Sequence, residues 1–152
     1  MAEIKSRFSG PEQSPGYQLW RVTNLWQQRM RAALLPHGLT HVQFVLLAVT
    51  SWLTRGGEVV TQIQVAEAAG TDEMMTSQVL RTLEGNGLLR REPHPTDARA
   101  RRLVVTDVGR STAAAAIVSV EEADVRFFEA VDDVQALTST LRSLVEVHSA
   151  ER

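Results

Sequence analysis

Residues 71–109 constrain this chain more than any other stretch. They read TDEMMTSQVLRTLEGNGLLRREPHPTDARARRLVVTDVG. A helical pattern starts at a polar cap, Thr71 or Asp72, and runs to about Asn86. Gly87 stops it, because a residue without a Cβ takes the left-handed conformation that ends helices. A short strand is expected at 88–91, then a polar loop shaped by Pro93, Pro95 and Asp97, then a returning strand at 103–105. Thr106 opens a new helix. A helix followed by a basic hairpin is how a winged helix is written. The helix suits a DNA major groove, and the hairpin reaches the backbone beside it.

Upstream, residues 1–16 carry Gly10, Pro11, Pro15 and Gly16 among polar residues and read as a mobile arm. A first helix is expected at 17–35, with Leu19, Val22, Trp26, Met30 and Ala33 forming one apolar stripe before Pro36 and Gly38 end it. Thr40 and Gln43 have the spacing of a capping box for a second helix through Leu53. That helix is apolar nearly all round and reads as the central buried one. Val59 and Val60 suit a short strand. Thr61 and Gln64 repeat the capping-box spacing for a third helix ending at Gly70. The third and fourth helices with their short break make a helix-turn-helix. A fifth helix is expected from Thr106 to Val131 and a sixth at 134–148, with Val134, Leu137, Leu141, Leu144 and Val145 on one face. The fold class is therefore mainly α with a small antiparallel β wing, flanked by N- and C-terminal helices. In domain terms, a single unit at 17–148 holds a winged helix-turn-helix at about 39–110 and flanking helices at about 17–35 and 107–148. The winged body is too small to cover the apolar stripes of both the first and the last helix. The simplest cover is the same pair of helices on a second copy, so a homodimer is expected.

With 152 residues the chain can bury roughly 70% of its unfolded surface without a staple. It has no cysteine, which removes disulfides, thiolate metal sites and thiol redox chemistry. The longest apolar stretch, 44–53, is too short to span a bilayer, and no export signal opens the chain, so a cytoplasmic location is expected. The net charge of −2 opposes nucleic-acid binding only on average. Residues 81–110 hold seven arginines against four acids, and residues 121–133 hold six acids against one arginine. Such segregation supplies the local basic patch that phosphates require.

Sorted by angle, the fourth helix places Met75, Val79 and Leu83 on a packing face, with Leu80 at its edge. Met74, Ser77, Gln78 and Arg81 fall opposite. Gln pairs bidentately with adenine, Arg with guanine, and Ser with bases or phosphate, while Met74 suits a thymine methyl. In an isolated helix these would be a solvated face; the flanking helix-turn and wing favour a reading face. Glu73 has no place in this scheme, since it repels phosphate. In the wing, Arg99, Arg101 and Arg102 suit a narrow minor groove. Asp97, two residues before Arg99, is placed to hold that guanidinium.

The chain resembles the MarR family of bacterial transcriptional regulators over residues 17–148. The resemblance rests on PHGLTHVQFVLL from Pro36, on the run 61–88 with its LEGNGLL ending, and on TDARARRLVVTDVG from Thr96. The last matches the family's wing pattern through Asp97, Arg99, Leu103, Thr106 and Gly109. It implies a homodimer joined through its terminal helices, binding double-stranded pseudo-palindromic operators, usually as a repressor. It implies Asp97 and Arg99 as a wing pair and Ser77, Gln78 and Arg81 as recognition positions. It also implies a small aromatic or anionic effector where the dimerisation and DNA-binding parts meet, and no other cofactor. Trp20, Asn24, His37 and His41 are the candidates for that pocket. Lack of cysteine departs from the family's hydroperoxide-sensing branch.

Neither an enzyme nor a metal site is expected. No nucleophile–base pair or phosphate loop is visible, and His37 and His41 lack a third ligand. The competing reading is a winged helix used as a protein-interaction module, against which the clustered arginines argue.

Overall fold

A computed structural model describes residues 5–150. Six helices and one hairpin follow in order: α1 Pro15–Leu34, α2 His41–Leu53, α3 Gln62–Ala69, α4 Glu73–Gly85, β1 Leu89–Pro93, β2 Arg101–Val105, α5 Asp107–Phe127 and α6 Val134–Ser149. Short 3-10 turns occupy Pro11–Gln13 and Leu35–His37.

Part of the expected arm takes regular structure, a 3-10 turn at Pro11–Gln13 and the first residues of α1. Ser14 caps α1 through the Tyr17 amide, with Pro15 at the first helical position, where its missing N–H costs nothing. The Gln18 side chain holds the Glu12 carbonyl at 2.7 Å, fixing the turn before the helix. The first four residues of the arm lie outside the described residues.

α2 starts at the expected capping box, with Gln43 N to Thr40 Oγ1 at 3.3 Å and Thr40 N to Gln43 Oε1 at 3.0 Å. Phe44, Leu46, Leu47 and Thr50 are its buried face, and the Thr50 hydroxyl is satisfied by the Leu46 carbonyl at 2.6 Å. The helix is not buried all round: Trp52 is exposed, with the Arg55 guanidinium stacked 3.6 Å from its ring centre. No strand forms at Val59 and Val60. A single bond from the Leu103 amide to the Val60 carbonyl, 2.8 Å, joins this segment to the hairpin.

The hairpin is longer than its sequence implies. β1 and β2 pair antiparallel from Leu89↔Val105 to Pro93↔Arg101. Leu89, Leu103 and Val105 face the core with Leu80, Leu83, Val65 and Met30. The Thr106–Gly109 spacing closes the base of the wing. The Thr106 hydroxyl donates to the Gly87 carbonyl at 2.7 Å and accepts from the Gly109 amide at 3.0 Å. A Cβ at Gly109 would lie 1.9 Å from the Leu88 carbonyl oxygen, so the start of α5 reaches this strand only because the residue is glycine.

α5 ends at Phe127, four residues before the expected Val131. Glu129, Asp132 and Asp133 follow, and carboxylates are unfavourable at a helix C-terminus. Asp133 instead caps α6, accepting from the Ala136 amide at 2.9 Å. None of the residues of α6 is buried. Among the described residues, no single helix is long and apolar enough to cross a membrane.

Candidate nucleic-acid interface

Asp72 positions α4. Its carboxylate accepts from the Met75 amide at 2.8 Å, satisfying one of the unpaired donors at the helix start. The packing face is centred on Thr76, Leu80 and Leu83, all fully buried, with Val79 beside them. This rotates the expected face: Leu80 is at its centre and Met75 is exposed at the rim. Thr76 tolerates burial because its hydroxyl bonds the Asp72 carbonyl and Thr71 Oγ1, both at 2.7 Å. The opposite face is where the sequence placed it. Met74 is 83% exposed, and Gln78 and Arg81 are exposed. Ser77 is half-buried and accepts from Arg81 Nη2 at 3.3 Å. Glu73 points to solvent in the first turn, where its charge suits the helix dipole.

The wing arginines divide into two sets. Among the described residues, no hydrogen bond or ion pair engages the side chains of Arg99 and Arg101, and both residues lie at the tip. Arg102, expected to act with them, is paired across the hairpin and its side chain is 40% exposed. It donates twice to Glu92 Oε2, from Nε at 3.1 Å and from Nη2 at 2.6 Å. The register explains this, because Glu92 is its cross-strand partner. Asp97 does not hold the Arg99 guanidinium. Its Oδ1 accepts from the Arg99 backbone amide at 2.9 Å and so shapes the loop. His94 shares that task, with Nδ1 accepting from the Asp97 amide at 3.1 Å. Arg91 passed unnoticed in the sequence. It lies against α4, with Nη2 donating to the Ser77 carbonyl at 3.1 Å and its amide to Glu84 Oε1 at 3.0 Å. Only the seven-residue spacing from Glu84 hinted at that pairing.

Polar bonds tie the winged body to the outer helices. Trp26 Nε1 donates to Asp124 Oδ1 at 2.7 Å, joining α1 to α5. His41 Nδ1 donates to Gln27 Oε1 at 2.8 Å, and its ring meets Trp26 edge-on at 5.0 Å. Burial pushes the His41 pKa below the usual histidine value; Asp124 opposes that shift and Arg31 adds to it. His37 Nε2 lies 2.8 Å from Ser119 Oγ. Trp20 and Asn24 are exposed on α1, whereas His37 and His41 are half-buried and bonded to Ser119 and Gln27. A groove of about 700 Å³ lies between α1 and α5, lined among others by Leu25, Arg29, Ser119, Arg126 and Phe127. Among the described residues, no group of three or more His, Asp or Glu is placed to hold a metal.

A helix-turn-helix whose second helix exposes Gln78 and Arg81, beside an arginine-tipped hairpin, defines a winged-helix DNA-binding protein. The MarR family model matches residues 39–100. The HTH-type transcriptional regulator YdcH of Bacillus subtilis (strain 168) is 41% identical over 144 residues, covering 95% of this chain and 98% of that protein. The transcriptional repressor CouR bound to a 23-mer DNA duplex superposes with a TM-score of 0.80 at 28% identity, over 95% of this chain and 99% of that one. CouR from Rhodococcus jostii RHA1 bound to p-coumaroyl-CoA gives a TM-score of 0.79 at 25% identity, over 92% and 95%. The chain belongs to the MarR family, and it is a DNA-binding transcriptional regulator rather than an enzyme.

Proposed function

We propose that the chain is a cytoplasmic, effector-responsive repressor that binds a pseudo-palindromic operator as a homodimer. Met74, Ser77, Gln78 and Arg81 read the major groove, and Arg99 and Arg101 engage the backbone or minor groove beside it. The carrying observation is the solvent-facing Gln78 and Arg81 next to a wing tip whose two arginine side chains have no partner among the described residues. A two-fold pair of such helices spans successive major grooves about 10 base pairs apart.

The groove between α1 and α5 supports an anionic aromatic effector. Arg29 offers the charge and Phe127 an aromatic wall, while Arg126 is offset by its 3.6 Å ion pair with Glu122, which lines the same groove. His37 reaches the same groove through Ser119. That CouR binds p-coumaroyl-CoA, an aromatic anion, agrees with this chemistry.

The test begins with genomic footprinting by the purified protein, which supplies an operator. Arg81→Ala is then expected to weaken operator binding by about 1–3 kcal/mol and random duplex binding by much less. Equal losses on both duplexes would make Arg81 a phosphate contact and remove it from the reading face.

A further inference from the structure

We propose that Arg91 is a positioning residue for DNA binding: it straps the wing along α4, so that the wing-tip arginines and the reading face meet one duplex as a single rigid unit. This rests on the wing reading given above.

Arg91 sits on β1 opposite Leu103, on the face of the hairpin that turns toward the body. It is attached to α4 at two levels. The backbone amide is held by the Glu84 carboxylate at 3.0 Å, and the guanidinium is held by the Ser77 carbonyl at 3.1 Å. Ser77 and Glu84 are two helical turns apart, about 10 Å along the axis. The side chain therefore lies lengthwise on the helix and is fixed at both ends. It is 20% exposed, whereas the Arg90 and Arg102 side chains are 63% and 40% exposed.

A two-stranded hairpin has little stiffness of its own. The Thr106 junction anchors the base of this one, and Leu103, opposite Arg91, is buried and bonded through its amide to the Val60 carbonyl. Arg91 adds, at that same level, the attachment that ties the hairpin to α4 itself. It grips the backbone of Ser77, the residue whose hydroxyl accepts from Arg81. One guanidinium thus stands between the residue that orients Arg81 and the strand that leads to Arg99. The fit is particular to arginine. Its Nη2 bonds the Ser77 carbonyl, while its buried Nε, which has no hydrogen-bond partner, lies within ion-pair distance of Glu84 Oε2 at 3.9 Å, so one delocalised cation meets the helix backbone and the carboxylate together. A lysine ammonium offers a point donor in place of that planar cation.

The experiment is a double-mutant cycle on the operator found by footprinting, read as Kd by fluorescence anisotropy over a range of salt. In the wild-type background, Arg99→Ala is expected to lower affinity about tenfold and to flatten the salt slope by about one. Arg91→Met is expected to give a similar loss and the same flattening. In the Arg91→Met background, Arg99→Ala should then cost less than about twofold, because the tip is no longer delivered to the DNA. Arg91→Lys should fall between. If Arg91→Met does not fold, Glu84→Ala removes the other end of the strap from a half-exposed position and carries the same cycle. If Arg99→Ala costs the same factor in both backgrounds, the strap is overturned and the wing reading survives. If Arg99→Ala has no effect in the wild type, the wing reading fails and takes the strap with it.

Discussion

α4 and α6 are both amphipathic, and they are completed in different ways. α4 buries Thr76, Leu80 and Leu83 within its own chain and turns Gln78 and Arg81 outward beside the exposed Met74. α6 buries nothing and leaves Val134, Leu141, Leu144, Val145 and Val147 at 43% to 63% exposure. α1 shows both behaviours along one helix: Met30 and Leu34 are fully buried, while Leu19, Val22 and Leu25 are about half exposed. The winged half is thus complete as a monomer and the outer half is not. Contiguous apolar surface of this kind marks an interface, and the repeated stripe on α1 and α6 fits a second copy of the chain.

The contrast can be broken most directly at α6. Replacing Leu141 and Leu144 together by glutamate should abolish dimerisation and lower operator affinity by roughly a hundredfold or more, since two half-sites are no longer engaged at once. Sedimentation equilibrium checks the first effect and anisotropy the second. A wild-type chain that stays a folded monomer at micromolar concentration would remove the premise. The winged half should instead be sensitive to shape. Gly109→Ala forces a Cβ into the Leu88 carbonyl and should cost about 2–3 kcal/mol of stability, read as a shifted urea midpoint. An unchanged midpoint would mean that α5 is not seated there. Arg102→Ala should cost under about 1 kcal/mol, in stability and in operator affinity alike, because its ion pair with Glu92 is partly exposed. A loss as large as that of Arg81→Ala would return Arg102 to the DNA-contacting set.

The smallest effect concerns the seam between the halves. The folded protein holds the His41 pKa below its unfolded value, so the unfolded state binds more protons on acidification. The associated stability is present above the ordinary histidine value and is lost as pH falls below it toward the lowered value. Unfolding midpoints measured across that range should decline with acid, and His41→Gln should flatten the decline. An identical decline in the variant would assign it to other groups.

Most of the architecture was legible because punctuation and periodicity agreed. Thr40 with Gln43, Asp72, Gly87 and Thr106 all mark the ends they were expected to mark. Misreadings arose where a polar residue serves the interior or an arginine serves the chain. Thr76 hides at the centre of a packing face because its hydroxyl bonds locally, a bond that no hydrophobic pattern reveals. Arg102 looked equivalent to Arg99 and Arg101 until the register placed it opposite Glu92. Arg91 looked like one more basic residue, since its acceptor at Ser77 is a backbone carbonyl and every residue has one. The groove between α1 and α5 joins residues about a hundred positions apart, and single-chain spacing cannot gather them. The exposed sides of α1 and α6 were readable as a surplus of apolar residues, which is a statement about the chain alone.

The close approach of Gly109 to Leu88 has a mechanical meaning. It roots α5 directly in the base of the wing, and the Trp26–Asp124 bond ties the far part of the same helix to α1. With 21 residues α5 is a rod about 31 Å long. Pivoting such a rod by about 10° at its outer end displaces its rooted end by about 5 Å. In the homodimer proposed above, the separation of the two reading helices is then governed by an angle, and a modest tilt is enough to move them out of step with the double helix.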